Sequence, residues 1–175
     1  MPEDKDDGCN DLSEYVWIDG VESLDGYQPG GYHPITIGQI LCGRFYIIHK
    51  LGYGNYSTVW LARDITIEQY VALKVCTADS TDRETTSLQE LSTPSGHLGR
   101  SSIPSALSTF LITGPNGTHL CYTMLPAQGD LAQALSERLL PLDVTRALVG
   151  GLVVAVAYVH SRGYVHGGLV IFPLP

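Results

Sequence analysis

With 175 residues, 44% of them hydrophobic and 16% charged, the chain is long enough for one domain with a packed core, which excludes a wholly disordered polypeptide. Its net charge of −8 is local: residues 1–30 hold nine acidic side chains against Lys5, whereas residues 31–175 hold nine of each sign. The globular part therefore has no basic excess, and nucleic acid is not an expected partner.

Taken in chain order, residues 1–30 combine acidity, scattered glycine and no sustained hydrophobic period, and read as a disordered tail. Gly30-Gly31-Tyr32-His33-Pro34 is turn chemistry that opens the folded part. Arg44 to Leu51 reads as a first strand, with Phe45, Ile47 and Leu51 set against Tyr46, Ile48 and Lys50. Thr58 to Arg63 is a second, joined to the first through a glycine turn. Tyr70 to Cys76 is a third, alternating Val71, Leu73 and Val75 with Ala72, Lys74 and Cys76. Thr81 to Leu91 is a short helix with Leu88 and Leu91 on one side, and residues 92–106 form a Ser-, Gly- and Pro-rich connection. Thr109–Thr113 and Thr118–Met124 flank Gly114-Pro115-Asn116-Gly117, a hairpin turn. After Pro126 the pattern turns helical: one helix from Gly129-Asp130 to Leu139, and another capped by Asp143, running to Arg162 and stopped by Gly163. Five strands with a helix after the third, then helices, make the fold class α+β.

Several features have plain readings. Cys9, Cys42, Cys76 and Cys121 stand far apart, which supports neither zinc ligation nor a disulfide framework. No basic-then-apolar segment opens the chain, so a reducing cytoplasmic or nuclear setting is the expectation. The sequons at Asn55 and Asn116 would then stay unmodified. His33, His49, His97 and His119 are scattered, and no histidine pair has ligand spacing on a helix, so no metal is expected. Ala147 to Val159 is an apolar run broken by Gly150 and Gly151; thirteen residues give about 20 Å of helix against a hydrocarbon core of about 30 Å. That run reads as a buried helix and not a membrane span.

The chemistry is concentrated in Leu51-Gly52-Tyr53-Gly54-Asn55-Tyr56-Ser57-Thr58-Val59 and in Val71-Ala72-Leu73-Lys74. Gly52 and Gly54 let backbone approach phosphates closely, and Ser57 stands where a third glycine would. The glycines alone fit a phosphate cradle or an ordinary hairpin turn equally well. Joined to Val59 and Lys74 at strand-hairpin spacing, they favour nucleotide. A dinucleotide fold would need a helix directly after the glycines, and a Walker loop would need Gly-Lys-Ser or Gly-Lys-Thr; neither is present. A lysine on a half-buried strand can snorkel, but the neighbours of Lys74 are apolar or small, so its ammonium needs an anion. Glu84, ten residues on, is the natural partner, although Thr81-x-x-Glu84 is also a capping box that competes for the same carboxylate.

These segments resemble the eukaryotic protein kinases, and most closely the SR-protein-specific kinase-like group. The resemblance is carried by Gly30 to Pro34, Ile37-Gly38, Gly43-Arg44-Phe45, His49 to Gly54, Tyr56 to Asp64 and Tyr70 to Val75, and continues more loosely to His166. It implies a small lobe over residues 31–125, a five-stranded antiparallel sheet plus one helix, followed by the first helices of a large lobe over residues 126–175. It also implies ATP as ligand: Val59 and Ala72 cover the adenine, Lys74 pairs with the phosphates, Met124 is the gatekeeper, and Leu125 to Ala127 are the hinge. Pro126 has no donor, so Ala127 must supply the N–H.

The chain departs from that pattern at its other end. His166-Gly167 match the start of the catalytic loop, but Gly168 stands where an aspartate would accept the substrate proton, and Pro173 where a metal-binding asparagine would stand. The expected catalytic residue set is therefore empty, magnesium has none of its usual protein ligands, and any ATP affinity is residual. General-base catalysis contributes about 10²–10⁴-fold and the metal several kcal/mol more, so no phosphoryl transfer is expected. The sequence, ending at Pro175, reads as truncated, leaving the helix over residues 147–159 without its usual neighbours. An exposed apolar patch that docks a protein partner is one consequence; a fragment of an interrupted reading frame is the other.

Overall fold

The computed structural model describes residues 21–129 and 140–165. Within them run β1 (Ile40–Leu41), β2 (Phe45–Gly54), β3 (Ser57–Asp64), β4 (Gln69–Cys76), helix α1 (Arg83–Leu91), β5 (Ser108–Gly114), β6 (Gly117–Met124) and helix α2 (Leu142–Ser161). Short 3-10 turns occupy Leu24–Gly26 and Leu98–Ser102. All strands pair antiparallel in the order β1-β2-β3-β4-β6-β5, so the α+β class expected from the pattern is the one adopted. The helix expected over residues 130–139, the tail residues 1–20 and the segment from His166 onward lie outside the described residues.

Period-2 alternation builds the core directly. Phe45 and Ile47 of β2, Ala62 of β3, Leu73 and Val75 of β4 and Cys121 of β6 are all buried in one cluster. Each large apolar side chain there contributes about 1.5–3 kcal/mol of burial. Burial pushes the Cys121 thiol up to about 12, leaving it an inert packing group. The Asp64 carboxylate is buried and paired with the partly exposed Arg44: it accepts from Arg44 Nε at 2.9 Å and Nη2 at 2.6 Å, and from the Thr66 N–H at 3.0 Å. The Arg44 guanidinium holds the Asp64 carboxyl below its ordinary range.

The sheet has six strands where five were expected. The additional strand, β1, turns back onto β2 through Cys42 and Gly43, both at positive φ (52° and 63°), and Arg44 N–H closes the turn on the Leu41 carbonyl at 3.0 Å. Such turns ordinarily use Asn, Asp or Gly at both central positions. A cysteine there gives no signal.

The tail assignment also needs correction over residues 21–30. Glu22 is buried and paired with Lys50, and Gly30 N–H donates to the Asn116 carbonyl at 2.8 Å. Acidic composition reads as disorder only when the carboxylates stay in water, and Glu22 does not.

Helix α2 starts two residues earlier than expected. Pro141 is its N-cap and makes no side-chain bond; Asp143 lies inside the first turn, where its charge suits the helix dipole. The stop at Gly163 (φ 81°) follows a Schellman pattern, with Gly163 N–H on the His160 carbonyl at 3.0 Å and Tyr164 N–H on the Val159 carbonyl at 3.2 Å. Of the two expectations for this run, a buried helix and an exposed apolar patch, the structure shows the second: Tyr158 alone of the 20 residues is buried, and Leu148, Val149, Leu152 and Val153 are exposed. The length argument against a membrane span also fails, because 20 residues give about 30 Å. By length and composition α2 could cross a bilayer. Its C-terminal half packs instead on the fold. The Tyr158 hydroxyl donates to the Leu91 carbonyl at 2.8 Å and so caps the end of α1 from α2; Arg162 Nη2 adds a bond at 3.2 Å to the Glu90 carbonyl, which also accepts the Thr93 hydroxyl at 2.8 Å.

His33 and His119 pack with ring centroids 4.9 Å apart and planes tilted by 60°, each with one ring nitrogen buried and lacking a bonding partner among the described residues. Burial, then the neighbouring His119, lowers the His33 pKa below its ordinary value of 6.5. The unfolded chain therefore binds this proton first, so His33 costs nothing above pH 6.5 and destabilises the fold as pH falls below it. Stability by urea unfolding is expected to decline from pH 7 to 5, and His33→Phe to flatten that slope; an unaltered slope would refute the assignment.

Candidate functional site

The hairpin of β2 and β3, the inner face of β4, the end of β6 and helix α1 enclose a cleft of about 910 Å³. Two irregularities in the β2–β3 register shape its roof, one between Ile47 and His49 and one between Lys50 and Gly52. The second leaves Leu51 outside the regular pairing and re-aims it at the cleft. Leu51, Gly52, Tyr53 and Val59 line the cleft from above, and Ala72 lines it from β4. Ala72 faces Met124 in the β4–β6 register, so the two meet across one surface. Leu125 and Ala127 continue the lining at the outer edge.

Lys74 and Glu84 lie deeper and are paired with each other. The lysine side chain is 17% exposed and the glutamate 49% exposed. A half-exposed pair contributes at most about 1 kcal/mol to stability, so its consequence is orientation: the ammonium is held facing the cleft. The competing capping box does not form. The N-cap of α1 is Asp82, with no side-chain cap bond, and the Thr85 hydroxyl donates to the Asp82 carbonyl at 2.8 Å.

Not every expected residue reaches this cleft. Gly54, Asn55, Tyr56, Ser57 and Thr58 do not line it. Tyr56 is exposed at the hairpin tip and borders a separate hollow with Cys76, Asp79 and Arg83. Thr58 is fully buried, and its hydroxyl accepts the indole N–H of Trp60 at 2.9 Å. Strand alternation explains this: Val59 points into the cleft, so its neighbour Thr58 points away.

Conversely, the cleft holds residues that the sequence reading passed over. Tyr122 lies directly opposite Lys74 in the β4–β6 register, with Lys74 Nζ 5.7 Å from its ring centroid. Burial, then the Glu84 carboxylate, raises its hydroxyl pKa. Two residues before Met124 on the same strand, it shares Met124's face, and that spacing was a usable signal. Leu88 and the stretch Arg100 to Ser105 also line the cleft. Arg100 donates to the carbonyls of Ser92 at 2.7 Å and Ile103 at 3.1 Å, locking that stretch in place. Nothing local in the sequence marks it.

The cleft suits an adenine nucleotide in its chemistry. An apolar slot (Leu51, Val59, Ala72, Met124) leads inward to the Lys74 ammonium, while Arg100, the other cation in the lining, is engaged by the Ser92 and Ile103 carbonyls. A Cβ on Gly52 or Gly54 would meet no atom within 4 Å, so the hairpin backbone stays open to a close ligand. Among the described residues no group of three or more His, Cys, Asp or Glu side chains is arranged to hold a metal ion.

No protein-family model matches the chain. Curated proteins do. It is 36% identical over 161 residues to Protein kinase dsk1 of Schizosaccharomyces pombe, covering 85% of this chain and 29% of that protein. It is 32% identical over 152 residues to human SRSF protein kinase 3, covering 81% and 26%. It is 30% identical over 168 residues to Serine/threonine-protein kinase spk-1 of Caenorhabditis elegans, covering 89% and 17%. The chain thus spans less than a third of the length of each of these relatives. Identity at this level, sustained over four-fifths or more of the chain and shared by a yeast, a nematode and a mammal, reflects common descent, and the chain belongs to the SR-protein-kinase-like group of the serine/threonine protein kinases.

Proposed function

We propose that this chain is a kinase-family domain that binds adenine nucleotide in the β2–β3–β4 cleft and does not transfer the γ-phosphate. The observation that carries the binding half is the Lys74–Glu84 pair, which aims an ammonium into an apolar slot beneath an open glycine backbone. ATP supplies the phosphates; Lys74 would hold them and Val59 and Ala72 would clasp the base. The silent half rests on Gly168, which stands where the resemblance calls for the proton-accepting aspartate and can accept no proton. A cytoplasmic or nuclear setting accords with Cys76 and Cys121 as free buried thiols.

The test is one preparation and two measurements. Millimolar ATP is expected to raise the melting midpoint with or without magnesium, while no radiolabel passes from γ-labelled ATP to a serine-rich peptide. Absence of a thermal shift removes the binding half; label transfer by material free of other kinases removes the silent half.

A second reading, a docking module, is favoured by α2. Leu148, Val149, Leu152 and Val153 are 40–61% exposed, and leaving such side chains wet forfeits about 1.5–3 kcal/mol each. The packing of Tyr158 and Arg162 on α1 supports a protein surface over a lipid one as the complement. That reading requires self-association or a co-purifying protein lost on Val149→Asp; a monodisperse chain that binds no hydrophobic dye ends it.

A further inference from the structure

The segment Gly30 to Pro34 has no part in the nucleotide chemistry described above, yet it is the centre of a strap over residues 21–34 that ties several elements together. At one end Glu22 pairs with Lys50 of β2 and accepts the Tyr27 hydroxyl. In the middle, the N–H groups of Ala78 and Asp79 donate to the carbonyls of Gly31 at 3.1 Å and Gly30 at 2.8 Å. From the β5–β6 turn, Asn116 Nδ2 donates to the Tyr32 carbonyl at 2.7 Å. The strap is closely fitted. A Cβ on Gly31 would stand 2.0 Å from the Gly26 carbonyl oxygen, and one on Gly26 would stand 2.5 Å from the Tyr32 ring. Tyr27 flanks the same ring with centroids 5.5 Å apart.

The ring so held extends its hydroxyl to the Gly54 carbonyl, where it donates a hydrogen bond of 2.9 Å. Gly54 ends β2 and opens the Asn55-Tyr56 turn, the tip of the glycine-rich hairpin. Nothing lies within 4 Å of a Cβ on Gly52 or Gly54, so side-chain packing does little to hold this stretch; beside the β2–β3 pairing and the Thr77 N–H on the Tyr56 carbonyl at 2.9 Å, the Tyr32 hydroxyl adds the one side-chain bond from the strap that can set its height above the cleft. We propose that the strap is a brace and Tyr32 a positioning residue, its hydroxyl tethering the glycine-rich loop in the attitude that receives nucleotide. The consequence for ligand rests on the nucleotide-binding reading above; the tether does not.

The test is Tyr32→Phe in the full chain, with Tyr70→Phe, an exposed tyrosine at the start of β4, as control. Hydrogen exchange without nucleotide is expected to quicken about 2- to 10-fold at the amides of residues 52–58, as loss of one neutral hydrogen bond predicts. Amides of β4 and β6 quicken less than those of the loop, the melting midpoint falls by no more than a few degrees, and ATP affinity weakens by about the factor seen in the loop. Unchanged exchange in the loop overturns the proposal. So does uniform acceleration across β4, β6 and the loop, which would make Tyr32 a structural anchor only. If the parent itself fails to bind ATP, the nucleotide reading falls, and the exchange measurement still decides the tether.

Discussion

Lys74→Met is expected to abolish ATP-dependent thermal stabilisation while leaving the fold intact. At a ligand concentration 100 times Kd, binding adds about 2.7 kcal/mol. For a domain of this size that corresponds to roughly 5–10 °C in the melting midpoint. Lys74 is the cation at the inner end of the apolar slot, Arg100 being engaged by backbone carbonyls, and without it the phosphates lose their counter-charge. Loss of the fold is not a competing explanation. Methionine matches the lysine stem in volume, and Glu84, already 49% exposed, solvates once its partner is gone. The measurement is a thermal scan of parent and variant with and without ATP. Equal shifts in both would mean that nucleotide, if bound, is held elsewhere.

Tyr158→Ala is expected to cost about 3–5 kcal/mol, a large share of the 5–15 kcal/mol stability of a typical domain. The side chain is fully buried, and its hydroxyl satisfies the Leu91 carbonyl at the end of α1. Tyr158→Phe separates the two contributions: it keeps the packing and leaves that carbonyl unpaired, for about 1–3 kcal/mol. Gly99→Ala reaches the same junction from the other side. Its Cβ would stand 2.2 Å from the Val154 carbonyl oxygen, a backbone atom that cannot step aside without moving α2. Urea unfolding of the three variants checks the ranking. A midpoint for Tyr158→Ala within error of the parent would show that α2 is not docked on α1. Because Leu91 closes the helix that carries Glu84, the same variant is also expected to weaken ATP binding.

The strands were legible because their signal is local. Val71, Leu73 and Val75 alternate with Ala72, Lys74 and Cys76, and the observed strand follows within one residue. The glycine spacing and Lys74 could likewise be joined into one site, since β2, β3 and β4 are consecutive and pair with their sequence neighbours. Where the reading stumbled, the missing information was not local. Thr58 lies inside the glycine motif, but its face of β3 is set by the strand's pleat. Positive φ at Cys42 is imposed by the tight β1–β2 turn. Ala147 to Val159 is apolar on every side, so its pattern announces burial without naming a cover.

The amino-acid order alone determined the α+β class, the strand succession and the candidate pairing of Lys74 with Glu84, because each depends on periodicity or on spacings of a few residues. Tertiary structure alone decided what crosses long separations: Tyr32 on Gly54, 22 residues away, and Tyr158 on Leu91, 67 residues away. A hydrogen bond between distant residues leaves no period in the sequence. It exists only after the sheet and helices have brought donor and acceptor within reach.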